Sequence, residues 1–159
     1  MDKLIGVIGG HRASPEILKE AEKLGGGLAE RGLVVLCGGL DGVMEAVCRG
    51  AQEGGGKTVG ILPGNRAKAA NPFVDIAIPT GIGLARNSIV ATAGEAVVAL
   101  DGSYGTLTEI GYALNSGKRV IGIQTWKIKG VIPAADAAGA LKILDGILST
   151  RKNQPSPGD

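Results

Sequence analysis

Apolar residues form six short continuous runs along the chain, separated by longer segments in which apolar and polar positions mix. A run without alternation is typical of a strand that is buried on both faces of a sheet. Most of the runs are followed directly by glycine, proline or aspartate, which favour a turn at that point. We predict strands over 4–8, 33–37, 58–62, 74–78, 96–100 and 120–123.

The segments between these strands carry apolar residues three and four positions apart, which predicts helices. Ser14 and Pro15 suit the N-cap and first position of the first helix, and Asp41 suits the N-cap of the second. The glycines at 25–27 weaken the first helix by roughly 1 kcal/mol each relative to alanine, which a close crossing against the sheet or a partner would explain. Further helices are predicted over about 84–93, about 106–115 and around 137–148.

Strands that alternate with helices predict a single α/β domain, in which helices cover both faces of a parallel sheet. We expect this domain to extend over residues 1–150, and the polar segment 151–159, with two prolines, to be a disordered tail. In sheets of this kind, ligands bind beyond the carboxyl ends of the strands. The functional residues are therefore expected at those ends.

Composition excludes several classes of function. The 17 basic and 15 acidic residues give a net charge of +2, so no nucleic-acid partner is expected. No apolar run approaches the ~18 residues of a membrane span, and the first residues lack the apolar core of a signal peptide. We therefore expect a cytoplasmic protein, in which Cys37 and Cys48 are reduced core thiols rather than a disulfide. The single histidine, His11, excludes a metal site with several histidine ligands, and no metal is expected.

Three predicted strand-to-helix junctions are rich in glycine, at 9–14, 38–42 and 101–106. Glycine lets backbone N–H groups approach an anion, and the helix that follows adds a partial positive charge. Tight turns need glycine in any case, but three such junctions on one sheet edge favour a phosphate site. The dinucleotide G-x-G-x-x-G and Walker patterns are absent. The candidate ligand-binding residues are Gly10, Arg12, Ser14, Gly38, Gly39, Asp41, Gly102, Ser103, Tyr104, Gly105 and Thr106.

Arg86 and Glu109 each stand near the start of a predicted helix. A cation at that place opposes the helix dipole, so Arg86 indicates an anionic ligand or a carboxylate partner, with a solvated surface arginine as the alternative. Glu109 fits a capping box with Thr106 as the N-cap, and it equally fits a carboxylate facing a cleft. If the strands that precede the two helices are neighbours, the pair faces one cleft. Tyr104 either stacks on a ligand base or packs against its turn.

Two segments carry a resemblance to a known family. Residues 37–44, Cys-Gly-Gly-Leu-Asp-Gly-Val-Met, resemble the first glycine motif of the Lonely Guy family, whose members are often mislabelled lysine decarboxylases. Residues 102–109, Gly-Ser-Tyr-Gly-Thr-Leu-Thr-Glu, resemble that family's Pro-Gly-Gly-x-Gly-Thr-x-x-Glu motif, and Arg86-Asn87 stands where the family carries Arg-Lys. The resemblance extends from about Gly6 to Ile123. It is closer to a short sister branch that includes the molybdenum cofactor carrier proteins.

The resemblance implies a modified Rossmann fold, a homodimer or homotetramer, and a small phosphorylated ligand. Enzymes of the family hydrolyse the N-glycosidic bond of nucleoside 5′-monophosphates. By that analogy Arg86 would orient the substrate and Glu109 would support the reacting centre or activate water, while the backbone of 102–106 would hold the phosphate. The sister branch implies instead a non-catalytic carrier. No cofactor is required, and an AMP-like nucleotide or the molybdenum cofactor would be the bound molecule. The helix faces around Met44 and Val47 are candidate dimer contacts.

Overall fold

The computed structural model of the protein describes residues 1–151, and the predicted tail lies outside this range except for its first residue, which ends the last helix. Most predicted elements are present within a residue or two of their expected bounds. The chain runs through β1 (Leu4–Gly9), α1 (Pro15–Glu30), β2 (Val34–Cys37), α2 (Val43–Glu53), β3 (Thr58–Leu62), β4 (Ile76–Pro79), α3 (Asn87–Ala93), β5 (Ala96–Leu100), α4 (Tyr104–Asn115), β6 (Arg119–Ile123), β7 (Val131–Ala134) and α5 (Ala137–Arg151), with 3-10 turns at Ala67–Ala69 and Gly83–Arg86.

The strands form one parallel sheet in the order β4-β3-β2-β1-β5-β6-β7. The helices α1, α2 and α5 pack on one face of this sheet, and α3 and α4 pack on the other. The predicted α/β class with a parallel sheet covered on both faces is therefore confirmed. The strand order reverses between β1 and β5, so their carboxyl ends flank the crevice where sheets of this kind bind ligands.

Strand β5 shows why the strands consist of continuous apolar residues in the sequence. All five of its residues are buried, with Val98 and Leu100 in the core beneath α1, α2 and α5 and Val97 and Ala99 in the core beneath α3 and α4. Successive side chains of a strand point to opposite faces, so a strand covered on both faces needs an apolar residue at every position. Each fully buried valine or leucine stabilises the fold by roughly 1.5–3 kcal/mol.

The glycines at 25–27 allow α1 to cross α2 at close range. A Cβ on Gly25 would collide with the carbonyl oxygen of Val47, and one on Gly50 would collide with the carbonyl oxygen of Glu22. The two helix backbones therefore touch at reciprocal glycine positions. The close crossing expected from the sequence is with a neighbouring helix of the same chain, and not with the sheet or another molecule.

Two predictions about α2 are wrong. Asp41 does not cap the helix, because the N-cap is Gly42 with φ 66° and no side chain caps the first turn. Met44 and Val47 are not available as dimer contacts, because their side chains are 5% and 0% exposed and pack in the core against the sheet. The amphipathic face of α2 is thus used entirely within the chain.

Strand β7 was not predicted. It has four residues and includes Pro133, which lacks the N–H that a central strand would need, and β7 pairs with β6 alone at the edge of the sheet. Elsewhere, Cys37 and Cys48 are buried free thiols with their sulfur atoms 3.5 Å apart, as expected for reduced core cysteines. No helix in the described part of the chain combines the length and hydropathy that a bilayer crossing needs.

Candidate functional site

The three glycine-rich junctions meet at one place. They follow β1, β2 and β5, which are adjacent and parallel, so the predicted location on a single sheet edge is confirmed. A cleft of about 250 Å³ opens there. Its walls are formed by Val7, Ile8, Gly9, Gly10, His11, Gly38, Met44, Leu84, Arg86, Asn87, Ser103, Gly105, Thr106 and Glu109.

Gly38 leaves space for the buried guanidinium of Arg86 in the cleft. A Cβ at this position would overlap Nη1 of Arg86 and would stand 2.6 Å from Sδ of Met44. Any larger side chain at the end of β2 would therefore displace the arginine. Glycine is required here because the guanidinium packs directly on the main chain.

Arg86 lies on the floor of the cleft. Its side chain is in the core-facing part of the 3-10 turn before α3, and the residue is only 5% exposed, which rules out a solvated surface arginine. Removal from water lowers the pKa of the guanidinium, against the attraction of Glu109 and Cys37. Its Nε has no hydrogen-bond partner within residues 1–151. A buried donor without a partner is destabilising, so this atom is suited to an acceptor that the protein itself does not supply.

Glu109 faces Arg86 across the same cleft. It lies in the second turn of α4 and is 6% exposed. Burial raises the pKa of its carboxyl to about 7, and the attraction of Arg86 only partly opposes that rise. Near neutral pH this carboxyl is thus close to half protonated. It can donate a hydrogen bond, accept one, or exchange a proton with a bound molecule.

The capping-box interpretation of Glu109 is wrong. The helix α4 begins at Tyr104 with Ser103 as its N-cap, two to three residues earlier than predicted, so Thr106 is already inside the helix. The earlier start shifts Glu109 by most of a turn and directs its side chain into the protein. Thr106 is buried beside it and also lines the cleft.

The route by which Arg86 and Glu109 meet also differs from the prediction. Their preceding strands are not neighbours, because β4 is the outer strand of the sheet and β5 is central. After β4 the chain returns across the sheet, and α3 packs against β1 and α4. That packing delivers Arg86 to the carboxyl ends of the central strands. The predicted pairing across one cleft is therefore present, although its premise was incorrect.

Six of the candidate ligand-binding residues do not line the cleft. Ser14 caps α1, since its Oγ accepts a hydrogen bond of 3.3 Å from the N–H of Ile17. Asp41 contacts Nδ1 of His11 through a carboxylate oxygen. The others lie within the junctions but do not line the cleft, and they are Arg12, Gly39, Gly102 and Tyr104.

Two of these residues shape the turns from outside the cleft. Gly39 has φ 75° and packs on Leu62, while its N–H donates to Sγ of Cys37 over 3.3 Å. Gly102 has φ 104° and lies against Thr106, where a Cβ would collide. Both turns need a left-handed backbone with no side chain, which glycine adopts without strain.

Sequence reasoning missed several cleft residues. His11 was not among the candidate site residues, and this exposed side chain lines the cleft and contacts Asp41. Asn87 is 7% exposed and contributes to the wall. Its position directly after Arg86 was the available signal. No feature of the sequence indicates that Met44 and Leu84 line the cleft, because their place there depends on the packing of α2 and α3.

A metal centre is not indicated. No group of three or more histidine, cysteine, aspartate or glutamate side chains is placed to hold an ion in the described range 1–151. The cleft contains instead the buried guanidinium of Arg86, the carboxyl of Glu109 with its pKa of about 7, and glycine turns at the start of helices. These features suit a small anionic ligand.

Comparison with known proteins places the chain in a family. The model of the SLOG cluster4 family matches residues 2–146, which is most of the sequence. The chain belongs to this family. A relative from Archaeoglobus fulgidus, an uncharacterised protein, is 43% identical over 120 residues, covering 76% of this chain and 79% of that one.

Two solved structures resemble this SLOG cluster4 protein over almost their entire length. The molybdenum cofactor binding protein of the phototrophic bacterium Rippkaea orientalis is 35% identical, with a TM-score of 0.88, and 93% of this chain matches 98% of that one. The molybdenum cofactor carrier protein of Chlamydomonas reinhardtii is 33% identical, with a TM-score of 0.85, covering 94% and 99% of the two chains. The expected similarity to such carriers is confirmed, and the Lonely Guy assignment stays a prediction.

Proposed function

We propose that this SLOG cluster4 protein binds the molybdenum cofactor, a phosphorylated pterin, and carries it without turning it over. The observation that carries this proposal is the 35% identity, over nearly the full length of both chains, with a protein that binds that cofactor. The cleft supports the same proposal, because it combines an arginine whose buried Nε is unpaired with a glycine turn at the start of α4, where the first backbone N–H groups have no partner within the helix.

The residues of the cleft have complementary parts in this proposal. The phosphate would bind at the start of α4, where the N–H groups around Gly105 and the helix dipole favour an anion. Arg86 would supply an ionic hydrogen bond from Nε and add buried positive charge. Protonated Glu109 would donate to an acceptor of the ligand rather than repel it. The remaining proposed contacts are those of Gly10, Gly38, Ser103 and Thr106.

Retention of molybdenum tests the proposal. The purified protein is mixed with molybdenum cofactor freshly released from a molybdoenzyme, passed through a gel-filtration column without oxygen, and assayed for molybdenum and pterin in the protein peak. We expect both to elute with the wild-type protein and to be reduced at least tenfold by Arg86→Gln. The control is Arg66→Gln, which changes an exposed arginine outside the cleft. Wild-type protein that elutes without molybdenum or pterin would show the proposal to be wrong.

A second candidate function is hydrolysis of a nucleoside 5′-monophosphate at its N-glycosidic bond. One observation favours it, which is that Glu109 has a pKa of about 7 and lies beside Arg86 in the cleft. A carboxyl of that pKa can act as a general acid or base near neutral pH. Incubation with AMP and measurement of free adenine separates the two functions. Adenine release that is lost in Glu109→Gln supports a hydrolase, and stable AMP supports a binding protein.

We also propose that the chain forms a homodimer or homotetramer. Large apolar side chains remain exposed on α3 and the segment before it, and they are Ile82, Leu84 and Ile89. Covering them would remove apolar surface from water. Light scattering at micromolar concentration tests this, and a monomer mass would contradict it.

A further inference from the structure

Two of the four aromatic residues of the chain stand together at the start of α4. The rings of Tyr104 and Trp126 have centroids 6.1 Å apart and are tilted by 31°. Tyr104 is 78% exposed, which is an unusual place for a large apolar ring in a chain with so few of them. Trp126 is partly buried and packs against the core on the α3 and α4 face, whereas Tyr104 lies on the surface beside it.

The position of Trp126 is determined by hydrogen bonds between two loops. Its Nε1–H donates to the carbonyl of Ser103 over 3.2 Å, and the hydroxyl of Thr125 donates to the carbonyl of Asp101 over 2.6 Å. The loop after β6 is thereby attached to the turn that joins β5 to α4. These hydrogen bonds fix the Trp126 ring beside Tyr104.

Both loops contain a left-handed residue that is not glycine. Asp101 has φ 49° and Gln124 has φ 47°, and no other such residue occurs within 1–151. Side chains with a Cβ adopt this conformation only at a cost in conformational energy. Strain of this kind concentrates at ligand clamps and active sites, where the surrounding structure maintains it. Here both strained positions support the aromatic pair.

The pair stands at the edge of the candidate cleft. Ser103 and Gly105, on either side of Tyr104 in sequence, both line it. The cleft measures about 250 Å³, which is below the roughly 300–1,000 Å³ typical of small-molecule sites. A ligand whose phosphate binds at the glycine turns would therefore extend beyond the cleft.

Two cavities lie along the loops that neighbour the cleft. On one side the wall continues past His11 into a second cavity with the carboxylates of Asp41 and Glu45. On the other side lie Tyr104 and Trp126, and Trp126 also forms a wall of a largely apolar cavity of about 350 Å³. Flat aromatic surface on which a ring can stack lies on the side of Tyr104 and Trp126.

We propose that Tyr104 and Trp126 form a ring subsite, on which the flat heterocycle of the bound phosphorylated ligand stacks. This inference rests on the proposed function, which supplies the phosphate end of the ligand. The subsite selects phosphorylated fused heterocycles over sugar phosphates, because only the former have a π-face to stack. A pterin and a purine share that chemistry, and the experiment distinguishes them.

The test uses the fluorescence of Trp126, which is the single tryptophan of the chain. Titrations at 295 nm excitation use three probes, which are molybdenum cofactor, AMP and the ring-free ribose 5-phosphate. We expect quenching by a ring-bearing probe and none by ribose 5-phosphate, whose binding is followed by calorimetry. Preferential quenching by one of the first two identifies the pterin or the purine as the ring. Tyr104→Ala should lower the affinity for the ring-bearing probe about tenfold, and Tyr104→Phe should retain the wild-type affinity.

Matched controls separate this inference from the proposed function. Tyr112→Ala removes the other exposed tyrosine of α4 and should leave all affinities unchanged. If a ring-bearing probe binds but does not quench Trp126, or if Tyr104→Ala weakens ribose 5-phosphate equally, the ring subsite is wrong while phosphate binding stands. If no probe binds to the wild-type protein, the proposed function fails and the ring subsite fails with it.

Discussion

Replacing Glu109 with glutamine removes a buried carboxyl whose pKa differs greatly between the folded and unfolded protein. Burial raises the pKa in the folded protein to about 7, from an ordinary value of 4.5. The folded state therefore favours the protonated carboxyl. Its contribution to stability is fully present below about pH 4.5 and is lost as the pH rises through about 7.

The size of the effect follows from the same two pKa values. One pKa unit corresponds to about 1.4 kcal/mol, so the wild-type protein loses about 3 kcal/mol of unfolding free energy through Glu109 between acid and alkaline pH. Glutamine has a similar shape and does not titrate. We expect Glu109→Gln to have near wild-type stability at pH 5 and to exceed it by up to about 3 kcal/mol at pH 8.5.

Thermal and urea unfolding at pH 5, 6, 7, 8 and 8.5 measure this difference. For a domain of this size, about 3 kcal/mol corresponds to roughly 6–12 °C in the melting temperature. The informative quantity is the variant minus the wild type at each pH, because other groups titrate equally in both. Glu53→Gln, which changes an exposed glutamate on α2, is the control and should give a flat difference. Parallel curves for wild type and Glu109→Gln would refute the buried, proton-binding carboxyl.

Three further predictions concern packing. Gly25→Ala should destabilise the protein by about 3 kcal/mol in urea unfolding, because the new methyl group meets the backbone of α2. The control is Gly26→Ala, whose new methyl group has its nearest contact at 3.6 Å, and it should be neutral or stabilising by about 0.5 kcal/mol. Gly38→Ala should displace Arg86 and weaken phosphate-ligand binding at least tenfold in calorimetry, while Gly64→Ala, which meets nothing within 4 Å, should not. Both cysteines should resist a thiol reagent in the native protein and react on unfolding, and a fast native reaction would contradict their burial.

The repeating pattern of the chain was enough to predict the sheet and most of its helices. Continuous apolar runs, as at Ala96–Leu100, are explained by burial on two faces, and that requirement is local to each strand. Strand β7 was not predicted because Pro133 interrupts its apolar pattern, and its position depends on pairing with β6 and on packing against α5. Edge strands depend on a neighbour more than on their own residues.

The candidate site was predictable in its location and only partly in its contacts. The glycine junctions indicated the correct sheet edge, because parallel strands share a carboxyl end. The role of Glu109 could not be predicted from local sequence, because a capping motif and a buried carboxyl have the same spacing. The two interpretations differ only in where α4 begins. The neighbour of Tyr104 could not be predicted from local sequence, because Trp126 is 22 positions away and arrives through the loop after β6.

The sequence by itself determined the class of fold, the sheet edge that carries the site, and the residues available there, since these depend on spacing and on backbone freedom within short segments. Tertiary structure alone decided that Arg86 is buried with an unpaired Nε, that burial raises the pKa of Glu109 to about 7, and that α1 and α2 touch. Burial and charge coupling are properties of a surrounding volume, and the groups that fill this volume come from strands and helices far apart in the chain.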